Sequence, residues 1–355
     1  MNQIIVSSVE QLRNVIRGKK FLLVRGSTYT QLRIKGFLDE FPHVEFSGFT
    51  SNPLYEQVCS GIALFNKENC ELLVAVGGGS AIDVAKCIKI FCQMDSRINY
   101  LEQNVFDSKI PLIAIPTTAG TGSESTCHAV IYYNGEKQSI SHSTIIPEYV
   151  VLDASVLKGL PVYQKKCTMM DALCQAIESW WSVKSTDESK EYSKKAITAI
   201  KKYWEEYIFE NTDISLDKIM KASNLAGHAI NITATTAPHA MSYKITSLYG
   251  FPHGHAVSVC LPEVWAYMQE HLEECIDYRG ELYLKRTLNE ISSLIDINYF
   301  KLMLKRLELT VPVSGNRAPE LKLLVQSVNP ERLKNNPVSL NADVLEVLYR
   351  RIVKV

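Results

Sequence analysis

The chain has 355 residues, 46% of them hydrophobic, which is enough for a large buried core and, by length, for two domains. Lys plus Arg and Asp plus Glu both number 38, so the zero net charge excludes the strongly basic character of nucleic-acid-binding proteins. The first residues lack a secretory signal, and no stretch approaches the ~20 apolar residues of a membrane span. Nine scattered cysteines without a CxxC pair are typical of reduced thiols. We therefore expect a soluble, cytoplasmic protein that binds neither nucleic acid nor membranes.

The first half of the chain alternates strand-like and helix-like segments. Apolar runs predict buried strands at residues 20–26, 43–49, 71–79, 111–118 and 148–153. Amphipathic helical patterns separate them, as at residues 7–18, 53–67 and 80–92. Because continuously apolar strands alternate with helices, we predict a mainly parallel sheet covered on both faces. The dipeptide Asn134-Gly135 predicts a hairpin within residues 128–141.

After about Leu160 the strand-like runs cease and a 3.6-residue periodicity dominates, so the second half is predicted to be α-helical. No low-complexity linker separates the halves, which places the boundary in a short connection near residues 154–162. We expect an α/β domain at residues 1–157 and an all-α domain at residues 158–355. A cleft between two domains is the usual place for a ligand.

The segment LLVAVGGGSAIDVAKCIKI places Gly77 to Gly79 and Ser80 between a predicted strand and a predicted helix. Glycines let the backbone approach a phosphate closely, and the N–H groups at a helix start favour an anion. A tight turn without a ligand is the alternative. Three consecutive glycines at the end of a strand favour a pyrophosphate site at Gly78, Gly79 and Ser80, although the spacing is not the GxGxxG fingerprint.

A second polar loop, PTTAGTGSESTC, follows another predicted strand. Among the residues that provide hydroxyl groups in this loop are Thr117, Thr118, Thr121, Ser123 and Thr126. Such a loop can surround the ribose or the carboxamide of a nicotinamide, whereas a solvated connection is the alternative. Together with the glycine run, this loop indicates a nucleotide that lies across the carboxyl ends of the strands.

Candidate metal ligands occur in the second half. Asp171 and Gln175 are four residues apart, so they lie on one face of a predicted helix. His239 begins another predicted helix, and His253 follows fourteen residues later, after a break in the helical pattern. Two imidazoles and a carboxylate are suitable ligands for Zn²⁺ or Fe²⁺, although a histidine on a helix is more often structural.

Four segments in this order, GGGSAIDVAK, PTTAGTGSE, DALCQAIE and FPHGHAVSVCLP, resemble the iron-containing alcohol dehydrogenase family, which shares its architecture with dehydroquinate synthase. The resemblance runs from about residue 20 to the C-terminus. It implies a dinucleotide-binding α/β domain, a helical catalytic domain, and a divalent metal in the cleft between them. It also implies an oxidoreductase that uses NADPH or NADH on a small aldehyde or alcohol, often as a homodimer or a larger homo-oligomer.

The resemblance implies that Asp171, His239 and His253 are metal ligands, whereas relatives carry a fourth ligand, histidine, at the position of Gln175. A glutamine carbonyl is a weaker, neutral donor. Gln175 therefore binds the ion weakly, holds a water molecule that binds it, or accompanies the loss of metal. We expect metal to be bound, less tightly than in a four-ligand site, with the open positions that a catalytic metal needs.

The resemblance also implies cofactor contacts at particular residues. These are Gly78, Gly79 and Ser80 for the pyrophosphate, Thr117, Thr118, Thr121 and Thr126 for the nicotinamide side, Lys137 for the nicotinamide ribose, and Asp83 and Lys86 as further members of the pattern. Lys137 is otherwise an ordinary solvated charge, and Asp83 and Lys86 are equally suited to structural roles. Where NAD-preferring relatives carry an aspartate, this chain has Gly26 and Ser27. Because an acid would repel a 2′-phosphate, its absence favours NADPH over NADH, with Arg25 as an additional cation.

Two further segments, ITATTAPHAMSYKITSLYGFPHGHAVS and SVNPERLKNNPVSL, are similar to the phosphonoacetaldehyde reductase branch of the family. This branch implies reduction of phosphonoacetaldehyde to 2-hydroxyethylphosphonate in phosphonate biosynthesis. A phosphonate needs cationic or N–H donors, for which His128 and Lys244 are candidates, with a strand histidine and an exposed lysine as the plain alternatives. The product takes its proton from water or through a relay, for which Tyr243, where many relatives have histidine, and His255 are candidates. The plain alternatives are packing of Tyr243 and a polar helix residue at His255.

Three other functions stay open at this level. The first is a reductase or dehydrogenase for another short aldehyde, alcohol or polyol. The second is a lyase or cyclase similar to dehydroquinate synthase, which the segment PTTAGTGSE disfavours. The third is a metal-free binding protein in which Gln175 accompanies the loss of catalysis.

Overall fold

The computed structural model describes residues 3–354, and the chain divides into two compact units, residues 1–159 and 160–355. The strands are β1 (Ile4–Val6), β2 (Phe21–Arg25), β3 (His43–Phe46), β4 (Leu72–Gly77), β5 (Leu112–Pro116), β6 (His128–Tyr133), β7 (Glu136–Ser141) and β8 (Tyr149–Val151). The helices of the first unit are α1 (Arg13–Ile16), α2 (Ile34–Leu38), α3 (Tyr55–Lys67) and α4 (Gly79–Phe91). Those of the second unit are α5 (Val162–Trp181), α6 (Asp187–Glu205), α7 (Asp213–Thr233), α8 (Ala237–Tyr249), α9 (His253–Glu270), α10 (Glu281–Leu294), α11 (Ile297–Arg306), α12 (Arg317–Gln326), α13 (Pro330–Leu333) and α14 (Ala342–Ile352).

The first unit is built on a six-stranded parallel sheet in the order β1-β8-β5-β4-β2-β3. Alternate residues of each strand point to opposite faces, so Leu22 and Val24 of β2 join a core with α3 and α4. Phe21 and Leu23 join the core on the other face, with α1 and α2. The predicted parallel sheet with two covered faces is confirmed.

The register of the central strands brings their carboxyl ends to the same edge. Arg25 of β2 pairs with Val76 of β4, and Gly77 of β4 pairs with Pro116 of β5. The residues that follow β2, β4 and β5 are therefore neighbours at this edge of the sheet, which is where parallel α/β sheets place their ligands.

Two short strands differ from the prediction, whereas the hairpin agrees with it. β1 was not predicted, because it has only three residues and two of them are exposed at the edge of the sheet. The predicted strand at residues 43–49 ends at Phe46. The hairpin of β6 and β7 turns at Asn134 and Gly135, which both have positive φ, as the Asn-Gly pair predicts.

The second unit is helical, as predicted, and α5 lies at its centre. From Cys167 to Trp181 every residue of α5 is buried, and the helix packs against α6, α7 and α9. Polar side chains in such a helix need partners, because burying them without hydrogen bonds or charges is costly. Within the described part of the chain, no helix is long and apolar enough to cross a membrane.

Helix α9 crosses α5 closely at Gly254. A Cβ atom at this position would lie 2.0 Å from the carbonyl oxygen of Cys167 and 2.8 Å from Cβ of Asp171. Any larger residue would therefore force the two helices apart. The glycine in the segment FPHGHAV thus permits the helix crossing that brings His253 towards Asp171.

We expect the Gly254→Ala variant to be destabilised by about 1–3 kcal/mol, because its methyl group overpacks the contact between α5 and α9. Urea unfolding monitored by circular dichroism measures this change. The matched control is Gly36→Ala in α2, where a Cβ meets no atom within 4 Å. This control should be neutral or more stable by about 0.5–1 kcal/mol. Equal stability of Gly254→Ala and the wild type would contradict the close crossing.

Candidate metal and cofactor sites

The glycine run forms the junction between β4 and α4. Gly78 caps α4, which begins at Gly79. A Cβ at Gly77 would lie 2.6 Å from Cβ of Ala81, and one at Gly79 would lie 2.9 Å from the side chain of Thr121. Larger residues at these positions would displace their neighbours. The helix start offers N–H groups that no intrahelical carbonyl can satisfy, which suits an anion.

The threonine loop lies directly against the glycine run. Thr117 donates its backbone N–H to the carbonyl oxygen of Gly77 at 3.0 Å. The hydroxyl of Thr118 lies 3.3 Å from the position that a Cβ of Gly78 would take. The structure therefore brings the two predicted cofactor loops together at the carboxyl ends of β4 and β5.

Lys86 of α4 supports the threonine loop from inside the first unit. Its Nζ donates to the backbone carbonyls of Thr126 and His128 at 2.7 Å each, and to the Thr126 hydroxyl at 3.1 Å. Burial lowers the pKa of this ammonium group to about 8. Thr126, predicted as a nicotinamide contact, is itself buried and bonded to Lys86. Both residues therefore shape the loop through contacts inside the protein.

Asp83 makes similar internal contacts, which suit the structural role that was the alternative to a cofactor contact. One oxygen accepts a hydrogen bond from the Ser123 hydroxyl at 2.5 Å, and the other accepts from the N–H of Val130 at 3.0 Å. Burial raises the pKa of the Asp83 carboxyl, against the opposing charges of Lys86 and Lys137. Lys137 of β7 is thus electrostatically coupled to this cluster, while its contact with a ribose stays a prediction.

The end of β2 carries an ion pair. Arg25 Nε donates to Glu45 Oε2 of β3 at 2.6 Å. The N–H of Gly26 donates to the carbonyl of Val76 at 2.9 Å, and Ser27 is exposed. Arg25, the cation considered for a 2′-phosphate, is therefore already paired with a carboxylate.

Two further predicted residues of the first unit make local contacts. Ser80 donates its hydroxyl to the backbone carbonyl of Ser51. His128 Nδ1 lies 2.7 Å from the hydroxyl of Ser141, across the hairpin of β6 and β7. Substrate binding by His128 stays a prediction.

Asp171, His239 and His253 converge from α5, α8 and α9. His239 Nε2 lies 3.4 Å from Asp171 Oδ1, and His253 Nε2 lies 3.9 Å from the same oxygen. Asp171 and His239 are buried, whereas 37% of the His253 side chain is exposed. The cluster is therefore closed on the Asp171 side and accessible beside His253.

The spacing of these donors fits one divalent cation. Ligand atoms about 2.1 Å from a tetrahedral ion lie about 3.4 Å from each other. Asp171 Oδ1 and His239 Nε2 approach to that distance, and neither forms a hydrogen bond among residues 3–354. Buried polar atoms without partners are rare in proteins, and one shared cation satisfies both of these atoms.

Glu178 is a functional candidate that the predicted motifs do not assign. Its Oε1 lies 2.5 Å from His239 Nδ1, and its Oε2 accepts from the N–H of Thr236 at 2.7 Å and from the Thr236 hydroxyl at 2.9 Å. A carboxylate on the far nitrogen of a histidine fixes the tautomer and the ring orientation that a metal ligand needs. The sequence signal that could have identified Glu178 is its spacing, because it lies two helical turns after Asp171 on the same face of α5.

The two carboxylates also control the charge of His239. Burial alone would lower the pKa of this imidazole, but Glu178 and Asp171 raise it to about 10. Burial opposes the ionised form of Asp171, yet the contact with His239 and the charge of His253 keep the Asp171 pKa below its ordinary value. Two buried carboxylates therefore favour a cation at His239 Nε2, where a proton and a divalent ion compete.

Gln175 lies one helical turn after Asp171, as predicted. Its side chain is buried, and its hydrogen bonding helps to lower the pKa of the Asp171 carboxyl. The amide therefore stands beside the carboxylate of the cluster. Direct binding of an ion by Gln175 stays a prediction.

Tyr243 of α8 extends the cluster on the side of His253. The two rings are parallel within 2° and their centroids are 5.5 Å apart. The Tyr243 hydroxyl accepts a hydrogen bond from Arg332 Nη1 at 3.0 Å. Lys244, the next residue of α8, is half-buried, and its contact with a substrate stays a prediction.

His255, considered both as a proton relay and as a plain polar residue of its helix, makes two contacts within the protein. Its Nδ1 lies 2.9 Å from the hydroxyl of Tyr163, and its Nε2 lies 2.8 Å from the carbonyl oxygen of Thr310. Burial lowers the pKa of His255, so the neutral imidazole is favoured. Both ring nitrogens are thus used within the protein.

Comparison with known proteins assigns the family. Residues 4–154 match the family description "Iron-containing alcohol dehydrogenase", and residues 166–308 match "Fe-containing alcohol dehydrogenase family, C-terminal". These two matches cover most of the chain. The protein belongs to the iron-containing alcohol dehydrogenase family.

Individual relatives give the range of this similarity. The chain is 33% identical over 217 residues to the probable alcohol dehydrogenase EutG of Escherichia coli, covering 60% of this chain and 55% of that protein. It is 28% identical over 236 residues to phosphonoacetaldehyde reductase of Streptomyces viridochromogenes, covering 63% and 60%. These alignments span little more than half of each relative.

The predicted architecture is confirmed by similarity to solved structures. The crystal structure of sulfoacetaldehyde reductase from Bifidobacterium kashiwanohense in complex with NAD⁺ has a TM-score of 0.86. That structure is 24% identical in sequence, and the similarity covers 99% of this chain and 96% of that one. At this level of identity the comparison concerns the fold.

We expect the Gln175→His variant to bind Zn²⁺ at least about tenfold more tightly, because an imidazole one turn after Asp171 supplies a fourth strong donor. Competition with a chromophoric chelator measures the affinity. The matched control is Gln164→His on the same helix, at a residue that does not belong to the cluster. An unchanged affinity of Gln175→His would show that the side chain at residue 175 does not face the ion.

We expect the Glu178→Gln variant to bind Zn²⁺ about 10- to 100-fold more weakly, because an amide orients His239 less well than a carboxylate does. The ¹⁵N NMR signals of His239 should change at the same time, while thermal unfolding shows that the metal-free variant remains folded. Glu346→Gln, at a partly exposed residue of α14, is the control for loss of a carboxylate. Wild-type affinity in Glu178→Gln would refute the orienting role.

Proposed function

We propose that the protein is a divalent-metal-dependent reductase that transfers hydride from NAD(P)H to a small aldehyde. The donor set of Asp171, His239 and His253, with Glu178 on the far nitrogen of His239, carries this proposal. Membership of the iron-containing alcohol dehydrogenase family supports it. In this proposal residues 1–157 bind the nucleotide, and residues 158–355 bind the metal and the substrate.

The first unit supplies the groups that would hold the cofactor. The N–H groups at Gly78, Gly79 and Ser80 bind the pyrophosphate, because they cap α4 and have no intrahelical acceptors. The proposed contacts on the nicotinamide side are the hydroxyls of Thr117, Thr118 and Thr121, with Lys137 at the ribose. NADPH is favoured over NADH because Gly26 and Ser27 place no acid where a 2′-phosphate would bind.

The second unit supplies the groups that would hold the metal and position the aldehyde. Asp171, His239 and His253 bind the ion, while Glu178 keeps His239 Nε2 directed at it. When bound, a divalent cation supplies Lewis-acid polarisation of the carbonyl, and NAD(P)H supplies the hydride. Tyr243, stacked on His253, offers a hydroxyl that can donate a proton to the product.

The proposed substrate is phosphonoacetaldehyde, reduced to 2-hydroxyethylphosphonate. The similarity to phosphonoacetaldehyde reductase supports this choice. Another short-chain aldehyde, alcohol or polyol is the second candidate, because a divalent cation held by these residues would polarise any small carbonyl. The Escherichia coli relative is a probable alcohol dehydrogenase.

We expect the His253→Ala variant to lose metal and NADPH-dependent aldehyde reduction together, by at least about 100-fold, because one of three ligands is removed. Metal content is measured by mass spectrometry and turnover by the absorbance of NADPH. The control is His271→Ala, which removes a partly exposed histidine beside Glu273. Chelation of the wild type should abolish turnover, and added Fe²⁺ or Zn²⁺ should restore it.

Two outcomes of this experiment would contradict the proposal. Full activity of His253→Ala would remove the ligand assignment. Turnover of acetaldehyde without turnover of phosphonoacetaldehyde would retain the reductase and refute the proposed substrate.

A further inference from the structure

Arg332 is connected to the candidate metal cluster through Tyr243. Its Nη1 donates to the Tyr243 hydroxyl at 3.0 Å, and its guanidinium carbon lies 5.1 Å from the centre of the Tyr243 ring. The Tyr243 ring in turn stacks on His253. A cation therefore lies one aromatic ring away from a predicted metal ligand, in a position that no motif predicted.

The charge of Arg332 is not balanced by a carboxylate within ion-pair distance among residues 3–354. By contrast, two other cations of the second unit form ion pairs. Lys334 contacts Glu331, and Arg279 contacts Asp277. The bond to Tyr243 is the one hydrogen bond that the Arg332 side chain makes to the described residues. Most of its N–H donors thus remain for a ligand or for water.

The fold holds Arg332 in place through the segment that carries it. Helix α13 is capped by Asn329, whose side chain accepts from the N–H of Glu331. Just beyond this helix, buried Asn335 donates to the carbonyl oxygens of Thr233 and Thr235 at 2.7 and 2.9 Å. This is the loop that precedes α8, the helix of His239 and Tyr243. The position of Arg332 is therefore fixed relative to the metal cluster by the same loop.

We propose that Arg332 binds the terminal oxyanion of a short aldehyde whose carbonyl oxygen faces the donor set of Asp171, His239 and His253. This inference rests on the proposed function and specifies its substrate class: two-carbon aldehydes with a tetrahedral oxyanion, of which a phosphonate is the primary case. A planar guanidinium donates two parallel hydrogen bonds to such a group, and a half-buried site strengthens them.

Arg332 is better placed for this role than Lys244. Lys244 follows Tyr243 directly, so its side chain leaves α8 about 100° away from the Tyr243 ring. Arg332 instead contacts the ring that stacks on His253.

The test compares an anionic and a neutral aldehyde in the metal-loaded enzyme. We expect Arg332→Gln to lower the ratio of kcat/KM for phosphonoacetaldehyde to that for propanal by about 10- to 100-fold, mainly through KM, because hydrogen bonds to a charged group are lost. Arg332→Lys should lower this ratio less than Arg332→Gln does, since lysine keeps the positive charge but lacks the two parallel donors of a guanidinium. The control Lys334→Gln removes a nearby exposed cation and should keep the wild-type ratio.

Other outcomes separate this inference from the proposed function. An equal loss of kcat/KM for both aldehydes would assign Arg332 to the positioning of Tyr243 and overturn the inference. An unchanged ratio in Arg332→Gln without any loss would also overturn it.

If the wild type reduces neither aldehyde, the proposed function fails, while titration calorimetry with methylphosphonate still tests Arg332. Methylphosphonate should bind the wild type at least about tenfold more tightly than Arg332→Gln. Methanesulfonate in a parallel titration shows whether the site prefers a phosphonate or a sulfonate, and equal binding of methylphosphonate by both proteins would contradict the inference.

Discussion

The burial of two carboxylates on one helix is the constraint on which the candidate metal site depends. Asp171 and Glu178 lie on α5, in a stretch where every residue is buried, so their charges have to be met by cationic groups inside the protein. His239 stands between them, with Nδ1 on Glu178 and Nε2 directed at Asp171. Gly254 lets α9 approach so closely that His253 joins the same oxygen of Asp171. The close packing of α9 on α5 therefore also sets the distances between the candidate metal ligands.

In the first unit, charged side chains likewise support the candidate cofactor loops from below. Lys86 is buried and Asp83 is half-buried under the threonine loop, and both bond to its backbone or hydroxyls. They hold a loop of small polar residues against the glycine run, where the missing Cβ atoms of Gly78 and Gly79 leave room for Thr118 and Thr121. In both units, charged groups under the surface fix the shape of a polar site, and this rigidity is what ligand binding requires.

Much of the architecture follows from the sequence, for identifiable reasons. The central strands are continuous apolar runs, and the helices of the second half have clear periodicity, so both halves are predictable from local pattern. The donor types at Asp171, His239 and His253 are recognisable because few side chains bind metals. The three-residue β1 has too few residues for any periodicity to show.

The missed features all depend on contacts between residues far apart in the chain. Glu178 and His239 are 61 residues apart, and Arg332 and Tyr243 are 89 residues apart, so no local pattern connects either pair. The sequence leaves two roles open for Asp83, and the contacts of its carboxylate with Ser123 and Val130 become visible only in the fold. His255 likewise finds both of its partners in other parts of the second unit.

The proposed chemistry depends on one divalent cation held by a carboxylate and two imidazoles. X-ray absorption spectroscopy of the purified protein loaded with one equivalent of Zn²⁺ tests it most directly. We expect nitrogen and oxygen neighbours at about 2.0–2.1 Å from the zinc, with the outer-shell scattering of two imidazole rings. A spectrum without imidazole scattering, or a protein that retains no metal, would contradict it.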